Sequence, residues 1–399
     1  VPNPAIRSTL ARKWPLGLLA PLALALLAGC GGRRGDTLYV FDAASRTVLA
    51  WDDLDGLQRA AREHKALPPA DRQIKSGQFD DLRLAWGGLV VDGATDRLYL
   101  VSTQGTVYAI ARASAQKGPK PLRKADLTWF RLGSGKDGEG GRGFGPASLE
   151  SGHNLLYVVE QDRDGRNPSV WHVPQVSKIR PGSSLTAEGH AVRGKDGTDR
   201  TGVGLAAVPG GRFFALFGDG EPVDPGDGSS VRGPRLRQGH SRGGKGELPV
   251  NSRDQPVQFL TGPGTRLKDR FTYGSLGFDA HRHELYVLAG TASSAEAPRE
   301  VLVFGESQFH GHYDQAPQRT LSGVPDALRI LALAPDGNWM VGAAFTPEAG
   351  DSDNRRARST GQGTGQSGLT LWANPHLGEP PIALPDLPGA REIRGLAID

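Results

Sequence analysis

Aromatic and guanidinium side chains recur at one position of this 399-residue chain. Trp86-Gly-Gly-Leu89, Phe144-Gly-Pro-Ala147 and Tyr273-Gly-Ser-Leu276 each set an aromatic residue just ahead of an apolar run. Arg329 falls at the same register and Arg394 one position further in. Aromatic faces stack on planar groups, and guanidinium groups hold anions through paired hydrogen bonds. The set therefore suits a planar, sugar-like or anionic ligand. The plainer role for the aromatics is to plug a cavity or pack under loops.

A second cluster, Glu160-Gln-Asp-Arg-Asp-Gly165, alternates the carboxylates of Glu160, Asp162 and Asp164, with Asn167 adding an oxygen. Calcium needs several converging oxygens, so it is the one candidate cofactor. Against it, Trp171 stands where an EF-hand loop begun at Glu160 would need its last Glu, and a polar hairpin turn explains the same residues. His281-Arg-His283 and His310-Gly-His312 have a spacing that can share a metal. They fall in different turns, however, roughly 10 Å apart across two strand spacings. Residues 239–246 approach a phosphate loop but put Gly246 where Ser or Thr is required, and no strand precedes them. No Gly-x-Ser-x-Gly, His-Glu-x-x-His or Cys-x-x-Cys is present. No catalytic residue is expected, and the chain reads as a binding protein rather than an enzyme.

These side chains need a scaffold, and the scaffold is repetitive. Leu-Tyr-Val-like strands align Tyr39, Tyr99, Tyr157, Phe214, Tyr286 and Met340, at spacings of 60, 58, 57, 72 and 54 residues. Each repeat offers about four strand-like runs, and Gly 56 with Pro 29 supplies the turns. A period of this size predicts an all-β, six-bladed β-propeller of four-stranded blades, with seven blades as the alternative because the fourth repeat is long. The chain ends on Gly395-Leu-Ala-Ile-Asp399, a run that elsewhere leads into a Leu-Tyr strand, as Gly88-Leu-Val-Val-Asp92 does. The strand it lacks stands near the other end, at 37–41. The two are expected to pair in one blade and close the ring. The rest of that blade is predicted at 47–51 and 79–84, the third blade's outer strand at 184–192, and one helix at 54–67; the fourth blade's third strand is not legible.

In a four-stranded meander, second-to-third-strand connections share a face with the links between blades. The long loops at 133–145, 190–202 and 261–272 link blades; those at 161–168, 219–247 and 347–368 follow second strands. All therefore decorate one face, where binding is expected.

The first thirty residues are organised differently. Arg7, Arg12 and Lys13 precede an apolar run over 15–28. That is short against the about 20 residues of a membrane span, and right for an export signal. Leu27-Ala-Gly-Cys30 closes the run, and this tetrapeptide resembles the lipobox of bacterial lipoproteins. The resemblance implies acylation of Cys30, the only cysteine, as the mature N-terminus and membrane anchor. Gly31 in place of Asp implies an outer-membrane address facing the periplasm. The expected organisation is a signal peptide over 1–29, a lipidated tether over 30–35 and one propeller domain over 36–399. With one cysteine, no internal disulfide forms. The three leader cations supply most of the formal charge of +4. The near-neutral body offers no field for nucleic acid, and a monomer is expected.

Through its Gly-Leu-x-x-Asp and Leu-Tyr-Val strands, 36–399 resembles the six-bladed propellers of the NHL and TolB-like superfamily. The resemblance implies a binding or scaffold module for an envelope protein, a glycan or a small ligand. Enzymes form the alternative. Gluconolactonase-like propellers hold calcium at the channel mouth, where this chain has Glu392 but no matching Asn–Asp set. Residues 204–219 resemble a blade of quinoprotein sugar dehydrogenases, but no histidine aligns at the mouth as base.

Overall fold

The computed structural model describes residues 36–399 apart from 117, 119–120, 134–142, 162–168, 186–190, 194–198, 221–234, 241–258, 268–274, 290–299, 311–312, 326–327, 345–367 and 385–386. These residues form six sheets, each built on an antiparallel meander of four strands, and one of them carries a fifth, parallel edge strand. From the axis outward, blade 1 is Ile393–Ile398, Leu38–Asp42, Thr47–Trp51 and Arg72–Ile74. Blade 2 is Leu84–Asp92, Arg97–Ser102, Thr106–Ala111 and Leu127–Leu132. Blade 3 is Gly143–Glu150, Leu155–Gln161, Ser169–Val173 and Ala191–Arg193. Blade 4 is Asp199–Val208, Arg212–Gly220, Arg235–His240 and Phe259–Leu260. Blade 5 is Ser275–Asp279, Glu284–Ala289, Glu300–Gly305 and Arg319–Leu321; blade 6 is Leu328–Leu333, Trp339–Ala344, Leu369–Ala373 and Ile382–Leu384. Each innermost strand packs against the next, and that of blade 6 against that of blade 1. This is the six-bladed ring.

The ring closes as expected. Leu38 pairs with Ile398, Tyr39 with Ala397, Val40 with Leu396 and Phe41 with Gly395. Asp42 then clamps the joint. Its Oδ1 accepts from Arg391 N (2.9 Å) and Glu392 N (2.6 Å), and its Oδ2 from Ser45 N (2.9 Å). Hydrogen bonds to an ionised carboxylate are the stronger kind, and Asp42 is fully buried.

The second strands are buried on both faces, which is why they read as continuous apolar runs. Leu38 and Val40 pack with Val341 and Leu371 of blade 6, while Tyr39 and Phe41 pack with Leu98 and Leu100 of blade 2. The Gly of Gly-Leu-x-x-Asp permits close approach at the axis: a Cβ on Gly395 would lie 2.7 Å from Leu84 and Leu89 of blade 2.

Four expectations are corrected. The outer strand of blade 1 is Arg72–Ile74, paired with Val48–Ala50, not 79–84. Phe79 sits in a 3₁₀ turn, buried between blades 1 and 2, and Leu84 begins the inner strand of blade 2. The 184–192 run splits: Ser184–Leu185 joins blade 2 in parallel, and Ala191–Arg193 forms the edge of blade 3. The third strand of blade 4 lies inside what read as the 219–247 loop. Finally, Met340 is not the partner of the aligned tyrosines. Val341 pairs with Ala332 as Tyr286 pairs with Gly277 and Tyr99 with Val90. Because a one-residue slip exchanges faces, Met340 instead points back towards Tyr286 of blade 5.

The helix spans Leu54–Arg62, shorter than expected. Asp53 caps it by accepting from Gly56 N (2.8 Å), and His64 in a left-handed conformation (φ 52°) turns the chain away.

A second joint recurs between blades. Arg72 lies over the ring of Tyr39 (5.3 Å), pairs with Asp52 and donates to Ala113 O of blade 2. Arg319 lies over Tyr286 (5.5 Å), pairs with Glu284 and donates to Pro375 O (2.9 Å) and His376 O (2.7 Å) of blade 6. Arg97 donates to Ser177 O (3.0 Å) of blade 3. Each guanidinium thus reaches the 3₁₀ turn that follows the next blade's third strand. Burial raises the hydroxyl pKa of Tyr39 and pushes that of Tyr99 up to about 12, while the neighbouring arginine pulls each down.

Candidate functional site

The six innermost strands converge on an axial cavity of about 390 Å³. The second residue of each inner motif lines it: Leu396, Leu89, Ala147, Leu205, Leu276 and Leu331, one from each blade. The volume lies within the range of small-molecule pockets.

At the loop face, the head of the inner strand is bulged in five blades. The register skips between Ile393 and Gly395, Leu84 and Leu89, Phe144 and Ala147, Gly202 and Gly204, and Leu328 and Ile330. A bulge inserts extra backbone and re-aims the side chain it carries. Arg394 and Arg329 are the extra residues of blades 1 and 6. They therefore share a register with each other; Trp86 lies within the longer bulge of blade 2, and Leu328 corresponds by pairing to Leu84 and Phe144.

The expected mouth residues part company here. Arg394 stacks on the Trp86 ring at 4.7 Å, a cation–π contact between blades 1 and 2. Glu392 holds the guanidinium in place, accepting from Nε (2.8 Å) and Nη2 (2.7 Å). Arg329 is half-buried at the head of blade 6. Phe144 is buried instead, 6.3 Å from the Trp171 ring, and its close approach needs Gly105, where a Cβ would come within 2.5 Å. Tyr273 lies outside the described residues. None of the described four lines the cavity, whose upper wall ends at Gly87 and Pro146.

Of the calcium candidates, Glu160 is buried and accepts from Trp171 Nε1 (3.0 Å), which ties it to the core. Asp162 and Asp164 lie outside the described residues, as does Cys30. Among the described residues, no three His, Cys, Asp or Glu side chains are placed to hold a metal ion.

At the opposite face, carboxylates end several inner strands and abut the next blade's turn. Asp279 accepts from His281 N (2.9 Å), Arg282 N (3.0 Å) and Arg282 Nη1 (2.8 Å). Asp399 sits against Gly93; burial, then Asp96 and Asp92, raise its pKa above the usual carboxylate range. Glu150 accepts from Gly210 N and Gly211 N of blade 4, both at 2.9 Å. His283 and His310 line one surface depression. Both of its carboxylates are already engaged, Glu306 by Arg212, Gln238 and His283, and Glu284 by Arg319 and the Tyr286 hydroxyl. His376 is held below its usual pKa by burial, then by Arg282 and Arg319.

Sequence reasoning passed over Glu150 and His153, which both line the cavity and bond to each other. The available signal was Glu150 at the end of the third inner motif, where Asp stands in blades 1, 2 and 5.

No protein-family model matches the chain, and neither does any curated protein. Among solved structures, it is similar to the Kuenenia stuttgartiensis hydrazine synthase: 14% identity, 79% of this chain, 71% of that chain, TM-score 0.35. It is also similar to U3-55K: 12% identity, 73% of this chain, 62% of that chain, TM-score 0.35. The chain thus spans less than two thirds of U3-55K. At these values neither likeness bears on the site.

Proposed function

We propose that this chain is a non-catalytic binding module: a propeller lipoprotein tethered through Cys30 in the bacterial cell envelope. In this reading it belongs to the NHL and TolB-like propellers and sits at the outer membrane, facing the periplasm as a monomer. It holds an envelope protein, a glycan or a small sugar-like or anionic ligand against its loop-rich face. The observation that carries the reading is the Trp86–Arg394 stack, pre-set by Glu392 at the loop-face end of the axis. Such a pair offers a flat face with cationic nitrogens beside it, and its geometry is held before any ligand arrives.

Two experiments test it. Cross-linking in intact envelopes should capture a partner, and Trp86→Ala or Arg329→Ala should cut the yield about tenfold while Tm falls only about 3 °C. Unchanged capture by both variants defeats the loop-face reading. Separately, Cys30→Ser should abolish incorporation of a labelled fatty acid and release the protein from the membrane fraction. Retention of label by that variant defeats the anchor.

A further inference from the structure

The axial cavity has a polar rim at one end, built by blade 3. Among the described lining residues, His153 is the one imidazole, next to Glu150 and Ser151. His153 is positioned rather than loose. Its Nδ1 bonds to Glu150 Oε1, and Glu150, only 6% exposed, is anchored by the two amides of Gly210 and Gly211 in blade 4. Asn154, left-handed at φ 55°, pins the same turn outward. Its Oδ1 accepts from Ser177 N (3.1 Å), its Nδ2 donates to Ser177 Oγ (2.6 Å), and its carbonyl accepts from Val176 N (3.1 Å). The imidazole nevertheless remains 61% exposed. A Cβ on Gly152, beside it, would meet nothing within 4 Å, so the mouth is open there.

The chemistry follows from these contacts. In the neutral imidazole whose Nδ1–H is donated to the carboxylate, Nε2 keeps a lone pair that accepts a hydrogen bond. Glu150 is already engaged by three donors, so a cationic ligand gains little from it, and an anionic head would meet its charge. The walls are mainly leucine, alanine and valine, and the two wall serines, Ser148 and Ser275, already bond to the backbone of Ala207 and Leu331, so a ligand with many polar groups would leave those groups unmatched. We propose that the cavity binds a small apolar molecule carrying one hydroxyl group, a phenol or an alicyclic alcohol. The ring lies among Leu89, Leu205, Leu276 and Leu331, and the O–H donates to His153 Nε2. This site lies at the other end of the axis from Trp86 and does not rest on the loop-face reading.

The test is a fluorescence titration of the full chain with 1-naphthol, and with 1-methoxynaphthalene, which has the same rings and no O–H. One-site saturable binding of 1-naphthol is expected, with 1-methoxynaphthalene about tenfold weaker. His153→Ala should weaken 1-naphthol about tenfold and leave 1-methoxynaphthalene unchanged. Ala280→Trp, at the blade 5 rim of the same mouth, should weaken both probes. The absence of saturable 1-naphthol binding overturns the proposal. So do equal affinities for the two probes, and so does 1-naphthol binding that survives both substitutions.

Discussion

Deleting residues 391–399 should abolish the cooperative thermal transition. The lost strand carries Ile393, Leu396 and Ile398, all buried. At about 1.5–3 kcal/mol for each such side chain, burial alone amounts to roughly 5–9 kcal/mol, an upper figure because unfolded chains already bury some surface. A whole domain has a net stability of about 5–15 kcal/mol. The deletion also strips the partner from Leu38–Asp42, exposing an unpaired edge of apolar residues that invites aggregation. Near-UV circular dichroism against temperature is the direct check. A sharp transition within a few degrees of the full chain would mean that the ring does not depend on its closing strand. A gentler variant, Asp42→Ala, removes only the carboxylate that receives Arg391, Glu392 and Ser45. It should retain a transition, at a lower temperature.

Arg72→Ala should cost about 1–3 kcal/mol, the range for leaving a buried polar group unsatisfied. Arg72 is 5% exposed, and its loss takes a donor from Asp52, the Tyr39 hydroxyl and Ala113 O, of which Asp52 keeps Thr37 Oγ1 and Ala113 O keeps Gln116 N. Asp52 is itself partly exposed and can recover water, so the largest penalty falls on the buried Tyr39 hydroxyl. The double variant Arg72→Ala/Tyr39→Phe should recover part of the loss by removing one stranded group. Urea denaturation of the two variants separates the terms. If Arg72→Ala unfolds at the wild-type midpoint, the joint between blades 1 and 2 is carried by apolar packing alone. Arg319→Ala makes the same test between blades 5 and 6, where the guanidinium also holds Pro375 O and His376 O.

The blade count, the closing pair and most strand positions were legible because they rest on local signals. Alternating or continuous apolar runs and tight turns belong to stretches of five to ten residues, and the terminal half-motif named its own partner. The misses share a cause as well. Arg72-Gln-Ile74 is too short and too polar to read as a strand; its identity comes from pairing with Val48–Ala50. Arg235–His240 carries more polar than apolar residues, and only its neighbours on both sides make it a ladder. The slip at Met340 arose because nothing in the sequence of blade 6 marks that its inner motif begins at Ile330, two residues past Leu328 and just after the bulge.

Thus the residues alone established an all-β ring of six repeats, its seam, and a set of aromatic and arginine side chains near the heads of the inner strands. Which of these side chains meet was settled by folding. A bulge turned Arg394 onto Trp86, while Phe144, at the same motif position as Trp86, sank against Trp171. Glu150 and His153 acquired a shared environment from Gly210 and Gly211, some sixty residues away. Strand formation depends on short-range pattern, which a sequence displays directly. The joining of side chains from different blades depends on long-range register, which a single inserted residue can reverse.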